Sequence, residues 1–228
     1  SKDAIIWKDS AYTYKQLYNK INDWDLWLEE NGLANYDVVV IEGDFSPNSI
    51  ALFFSLIKLN CVIVPLTDSV SEKRNVFIEI AKAKYVISIE ANDHVSISKT
   101  DHSKKDVSFY KTLIKRKHPG LVLFSSGSTG DSKAAVHDLE YILEKFKLKK
   151  RSYTSITFLL YDHIGGVNTM LYILSNGGCI VAAENRTPDS ILRLIEKHNV
   201  ELLPTSPTFL NLIILSEAYE NYKLDSLK

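Results

Sequence analysis

Two hydrophobic periods alternate along this chain. Val38-Val39-Val40-Ile41 is apolar at every position and rich in β-branched residues, the pattern of a strand buried on both faces. Cys61-Val62-Ile63-Val64-Pro65 repeats it, and residues 85–89, 121–124, 155–160, 179–183 and 201–203 read as further strands. A shorter strand is expected near residues 134–136. Between these runs the apolar residues recur at helical spacing. Over residues 12–31 they are Leu17, Ile21, Trp24 and Leu28, and Gly32 then stops the helix. Ser46-Pro47 opens the next helix, with proline where a missing N–H costs little. Its apolar face carries Ile50, Phe53, Phe54 and Ile57. Helices are also expected over residues 71–82, 108–117, 139–148, 189–198 and 207–215. Residues 167–174 are apolar on nearly every side, which places that helix in the interior.

Strands alternating with short helices imply an α/β fold of layered β-sheets flanked by helices, mostly with parallel pairing. No internal repeat or low-complexity linker interrupts the pattern. Residues 92–106 are polar and mixed, either a loop or a weak edge strand, and mark the best boundary region. The expected organisation is a first α/β subdomain over residues 1–114 and a second over 115–228. The chain stops at Leu224-Asp225-Ser226-Leu227-Lys228 without a terminal device, so the second subdomain is expected to be truncated.

Composition narrows the classes. The 228 residues are 45% hydrophobic and 24% charged, ordinary for a folded domain with a sizeable core. Net charge is -1, so nothing global draws the protein to nucleic acid or to an anionic membrane. The basic runs at residues 115–118 and 147–151 read as solvated helix ends or loops. Cys61 and Cys179 both sit in apolar runs, as core residues of a reducing compartment do. No CxxC or HxxxH spacing offers a metal site. The opening residues lack the apolar stretch of a signal peptide, and no apolar run nears the ~20 residues that span a bilayer. These features lead to the expectation of a cytoplasmic protein with neither a membrane span nor a nucleic-acid partner.

One segment carries chemistry. Directly after the apolar run 121–124 come Ser125, Ser126, Gly127, Ser128, Thr129 and Gly130, and Lys133 follows three residues later. Gly127 and Gly130 have no side chain to keep a phosphate away and reach backbone angles that others avoid. The hydroxyls add donors, and successive backbone N–H groups can form an anion-holding concavity. Lys133 would supply a point charge. The lysine spacing is not that of GxxxxGK[ST], which argues against a nucleotide switch of that type. The competing reading is a turn that only joins two strands.

These residues resemble a known family. Residues 121–133, with SSGSTG followed by xxK, are similar to the phosphate-loop signature of the adenylate-forming enzymes, which include acyl-CoA synthetases, luciferases and peptide-synthetase adenylation domains. Residues 11–17 resemble that family's YTYxEL element, and residues 56–66 resemble LKAGxxxVPL. Tyr161-Asp162-His163-Ile164-Gly165-Gly166 resembles its His and Gly-Gly stretch, and residues 200–209 resemble the strand and Pro-Thr turn that follow. The likeness covers nearly the whole chain in one register. It departs at Ser132, where the family has proline, and at Ala134, where it has glycine.

The resemblance implies the N-terminal portion of an adenylate-forming large domain. It implies ATP and Mg2+ as cofactors, a carboxylic acid as substrate, and CoA or a carrier-protein thiol as acceptor. It places Ser125, Ser126, Gly127, Ser128, Thr129, Gly130 and Lys133 on the phosphates, with Thr129 and Ser128 as the direct hydroxyl contacts. It places His163 near the acid and the adenylate, the alternative being a histidine that caps the next helix; His137 reads as structural. Elements that hold adenine, ribose and metal in the family have no counterpart here, so the chain is expected to be a fragment that does not turn over alone. A non-catalytic ATP- or pyrophosphate-binding module is the alternative. Thr129→Ala in the intact enzyme is expected to lower kcat about 10²–10³-fold, roughly 2.7–4 kcal/mol, with little change in acid affinity. Turnover and the acid KM, measured together, check this; an unchanged kcat removes Thr129 from the reaction.

Overall fold

The computed structural model describes residues 2–101, 108–126 and 132–228. The chain opens with β1 (Asp3–Trp7), β2 (Ser10–Thr13), α1 (Tyr14–Glu30), β3 (Val38–Glu42) and α2 (Pro47–Lys58). β4 (Val62–Leu66), α3 (Arg74–Ala81), β5 (Tyr85–Ile89), β6 (Val95–Lys99) and α4 (Lys111–Arg116) follow. Next come β7 (Gly120–Ser126), β8 (Ser132–Asp138), α5 (Leu139–Glu144), β9 (Thr154–Ile156) and α6 (Ile164–Ser175). β10 (Cys179–Val181), α7 (Pro188–His198) and α8 (Pro207–Leu215) complete the order. Two compact units share these elements, one formed by Tyr18–Lys145 and Tyr161–Ile164, the other by Ser1–Leu17, Phe146–Leu160 and Gly165–Lys228. The boundary expected at residue 114 falls inside α4.

The first unit holds a six-stranded sheet in the order β6-β5-β3-β4-β7-β8. β5, β3, β4 and β7 run parallel, and β6 and β8 close the two sides antiparallel. Every residue of β4 is buried, as are Val38, Val39, Val40 and Ile41 of β3. Such strands must be covered on both faces. On one face Val38, Val40, Val62, Val64 and Val122 pack with Phe77, Ile78 and Ala81 of α3 and Leu113 of α4. α2 is capped as its sequence anticipates. Ser49 N–H donates to Ser46 Oγ (3.1 Å), Ser46 N–H donates to Ser49 Oγ (2.8 Å), and Pro47 opens the first turn.

The second unit holds a four-stranded sheet in the order β2-β1-β10-β9. Ile5 of β1 lies opposite Ile180 of β10 in a parallel pair. α7 and α8 supply its core with Ile191, Leu192, Ile195, Phe209 and Ile213. Both helices start with a hydroxyl cap followed by proline, Thr187-Pro188 and Ser206-Pro207. Among the described residues no helix is long and apolar enough to cross a membrane.

Several elements differ from the sequence reading. β1 and β2 form a hairpin where no strand was expected, because its turn carries Lys8 and Asp9 at φ 49° and 62° in place of the usual glycine or asparagine. The helix expected from residue 12 therefore begins at Tyr14. Residues 201–203 make a single bridge, Ser155↔Leu202, in place of a strand. The N–H groups of Glu201 and Leu202 both reach Thr154 O, and Pro204 has no N–H to extend a ladder. The helix expected over 139–148 ends at Glu144, with Lys145 as its C-cap. The helix expected over 71–82 is divided into a 3₁₀ segment, Asp68–Lys73, and α3.

Gly166 shows why this fold needs a glycine at the start of α6. A Cβ there would stand 2.0 Å from Leu160 O and 2.8 Å from Leu159 O, both backbone atoms. Gly166→Ala is expected to destabilise the protein by about 1–3 kcal/mol or more. Thermal or urea unfolding checks it, and an unchanged midpoint shows that the turn before α6 can yield.

Candidate functional site

In an open α/β sheet the strand interiors are covered, and ligands meet the protein beyond the carboxyl ends of the parallel strands. Those ends here are Glu42 of β3, Leu66 of β4, Ile89 of β5 and Ser126 of β7. β4 and β7 pair only at Val62↔Gly120 and Ile63↔Leu121 and then part. Pro65 lies in that parted stretch of β4, where it has no N–H to offer a ladder. The sheet thus opens at its carboxyl edge beside β7.

The Gly- and Ser-rich run begins at the end of β7. β7 and β8 remain paired to the end of the hairpin, with Ser125 opposite Lys133 and Ser126 opposite Ser132. Ser125 and Lys133 are both exposed. Gly127, Ser128, Thr129 and Gly130 lie outside the described residues. Of the residues read from the sequence, the structure therefore brings together Ser125, Ser126 and Lys133 on two adjacent strands. His137 faces Leu121 farther along the same pair, away from the hairpin end.

His163 reaches the same edge by a different route. Tyr161 is fully buried; its hydroxyl donates to Ser49 O (3.0 Å), and its ring meets Phe45 edge-on at 4.8 Å. Burial, with Asp44 nearby, pushes its phenol well above the ordinary range. The next residue, Asp162, is buried as well. Its Oδ2 accepts from Thr67 N–H (3.3 Å), Thr67 Oγ1 (2.8 Å) and Ser69 Oγ (3.3 Å), all just beyond β4. Its Oδ1 is buried without a hydrogen-bond partner. The His163 side chain is 61% exposed, with Nε2 3.8 Å from that oxygen. The buried tyrosine and the carboxylate thus hold an exposed imidazole at the carboxyl end of β4.

A third group lies at the end of β3. Arg74 grips Glu42 with Nε and Nη2, the latter at 3.1 Å, and Ser88 Oγ donates to Glu42 Oε2 at 2.5 Å. Burial raises the Glu42 pKa, but the hydrogen bonds from Arg74 and Ser88 outweigh it and hold the carboxyl below its usual value. Glu42 is therefore ionised at neutral pH and committed to arginine. Neither cysteine offers a nucleophile at this edge. Burial pushes the Cys179 thiol up to about 11 and raises Cys61 further.

Sequence reading singled out neither Asp162, Thr67 and Ser69 nor the Glu42, Arg74 and Ser88 group. A charged residue inside the otherwise apolar stretch before α6 is the signal that could have flagged Asp162. Its donors, far away in sequence, had no signal.

Comparison with known proteins places the chain among relatives. The family model described as AMP-binding enzyme matches residues 1–228. The D-alanine--D-alanyl carrier protein ligase of Bacillus cytotoxicus is 20% identical over 99% of the chain and 49% of its own length. The acetyl-coenzyme A synthetase of Photobacterium profundum is 24% identical over 99% of the chain and 44% of its own length. The chain thus spans about half the length of these curated relatives. Among solved structures, the N-terminal domain of FACL13 from Mycobacterium tuberculosis superposes with a TM-score of 0.78 at 17% identity, over 100% of this chain and 64% of that one. The N-terminal subdomain of Klebsiella oxytoca NpsA superposes with a TM-score of 0.74 at 23% identity, over 94% and 58%. At these identities the structures establish the fold.

Asp162 supplies a test of how the edge is built. Asp162→Ala leaves the buried Thr67 N–H without its acceptor and is expected to cost about 1–3 kcal/mol. Asp162→Asn keeps an acceptor oxygen and should cost less. Urea unfolding of both variants checks the order, and equal stability of Asp162→Ala and the wild type would show that the carboxylate does not hold this edge.

Proposed function

Because a family model matches its whole length, this chain belongs to the AMP-binding enzymes, and we propose that it contributes to ATP-dependent activation of a carboxylic acid. The observation that carries this reading is the parted end of β4 and β7, with Ser125 and Lys133 facing each other across the hairpin that flanks residues 127–131. A Gly- and Ser-rich segment leaving a sheet at its carboxyl edge suits a polyphosphate.

In this reading the acid's carboxylate attacks the α-phosphorus of ATP, forming acyl-AMP and releasing pyrophosphate. Such in-line transfer needs positioning and charge stabilisation more than a protein nucleophile. Residues 125–130 hold the β- and γ-phosphates, Ser128 and Thr129 donate hydroxyl hydrogen bonds, and Lys133 adds a cation. In this reading His163, exposed beside the buried Asp162, serves the acid or the adenylate. Mg2+ would accompany the phosphates and neutralise their charge. Among the described residues no group of acids, histidines and cysteines could hold it, so we assign it no protein ligand. CoA or a carrier-protein thiol is the proposed acceptor, in keeping with the names of the two curated relatives. Two free, buried cysteines are in keeping with a reducing, cytoplasmic setting. Within this scheme the chain acts as the N-terminal part of the enzyme and does not turn over alone.

The test is acid-dependent exchange of labelled pyrophosphate into ATP, run on the uninterrupted gene product with this chain beside it. The panel should include amino acids next to simple acids, because the names of the curated relatives include both a D-alanine ligase and an acetyl-coenzyme A synthetase. Exchange with one class of acid by the longer protein is the expected result. Nucleotide or pyrophosphate binding without exchange for any acid would favour a non-catalytic binding module.

A further inference from the structure

The resemblance assigns one lysine, Lys133, to the phosphates, and the structure brings a second to the same place. Lys73 closes the 3₁₀ segment Asp68–Lys73 that follows β4, and its Nζ donates to Ser132 Oγ at 3.4 Å. Ser132 opens β8 opposite the last residue of β7. Successive strand residues point to opposite faces, so Ser132 looks toward Lys73 and Lys133 looks the other way. The stacked rings of Phe77 and Phe124 (centroids 3.9 Å apart, planes at 2°) show that α3, which begins right after Lys73, covers that first face. Two ammonium groups thus flank the end of one hairpin, one from each side of the sheet. Both residues are exposed, and among the described residues neither is ion-paired with a carboxylate.

The segment is built to leave Lys73 available. Its entrance is tied by Asp162 to Thr67 and Ser69. The next residue, Arg74 at the start of α3, is committed to Glu42. Position 132 is where this sequence departs from the family's proline, and proline has no side-chain oxygen to receive Lys73. We propose that Lys73 is a second phosphate-binding residue of this site, gripping the polyphosphate of ATP or the departing pyrophosphate from the α3 face while Lys133 acts from the other. A lysine is a compact point charge with three rotatable donors, suited to follow phosphate oxygens as a bond breaks.

This inference rests on the acid-activation reading, and the experiment separates the two. Pyrophosphate and AMP binding are measured by calorimetry at fixed ionic strength for the wild type, Lys73→Met, Lys73→Arg and Lys133→Met, with melting temperatures alongside. The expected result is pyrophosphate binding weakened about five- to tenfold in Lys73→Met, with AMP affinity unchanged and most of the loss restored in Lys73→Arg. Raising the salt should shrink the difference between wild type and Lys73→Met. A wild type that binds no pyrophosphate overturns the phosphate-site reading itself, and the inference falls with it. Wild-type binding with Lys73→Met equal to it overturns the role of Lys73 alone. The same role is overturned if AMP affinity falls equally, or if Lys73→Arg fails to recover binding.

Discussion

Burial of β3 and β4 on both faces is the constraint on which the six-stranded unit depends. Strands that are apolar at every position cannot face water on either side, so helices must cover the sheet above and below. Once they do, the backbone of those strands meets solvent only at the ends. Polar chemistry is pushed to the carboxyl edge, and what is found there is polar: Glu42 with Arg74 and Ser88, Thr67 and Ser69 with Asp162, and the Ser125 and Lys133 pair. The placement of these groups follows from hydrophobic burial in the middle of the sheet.

The strands that obey this rule were legible in the sequence because the rule acts residue by residue. Residues 38–41 and 85–89 show it in composition alone, and the hydroxyl-Pro helix starts at Ser46 and Ser206 rest on local capping. The hairpin of β1 and β2 was hidden because Lys8 and Asp9 adopt left-handed angles that their side chains do not advertise. The bridge at Leu202 was overread as a strand because β-type composition does not reveal which N–H groups find acceptors. For the site, the Gly- and Ser-rich run was legible as a local pattern, as was Lys133. Asp162 and its donors were not, because Thr67 meets Asp162 only once the chain has folded.

The carboxylate of Asp162 illustrates how one buried charge can organise an edge. One oxygen is saturated by three donors and the other by none, an imbalance a core residue seldom keeps. The saturated oxygen anchors the turn after β4, and the free one sits beside the exposed His163 ring. Rigidity on one side and unmet polarity on the other are properties expected of a group that supports a binding edge.

The pairing of Ile5 with Ile180 has a consequence for the order in which the protein forms during synthesis. Residues 18–145 supply all six strands of one sheet in a nearly unbroken stretch, so that unit can assemble while the ribosome still holds the rest. β1 and β2 emerge before that stretch, yet β1 has no parallel partner until β10 has been made. Closing so long a loop is entropically expensive, and non-local pairing is slow. The hairpin of β1 and β2 therefore settles after the six-stranded sheet, and until then β1 keeps an apolar edge without its parallel partner.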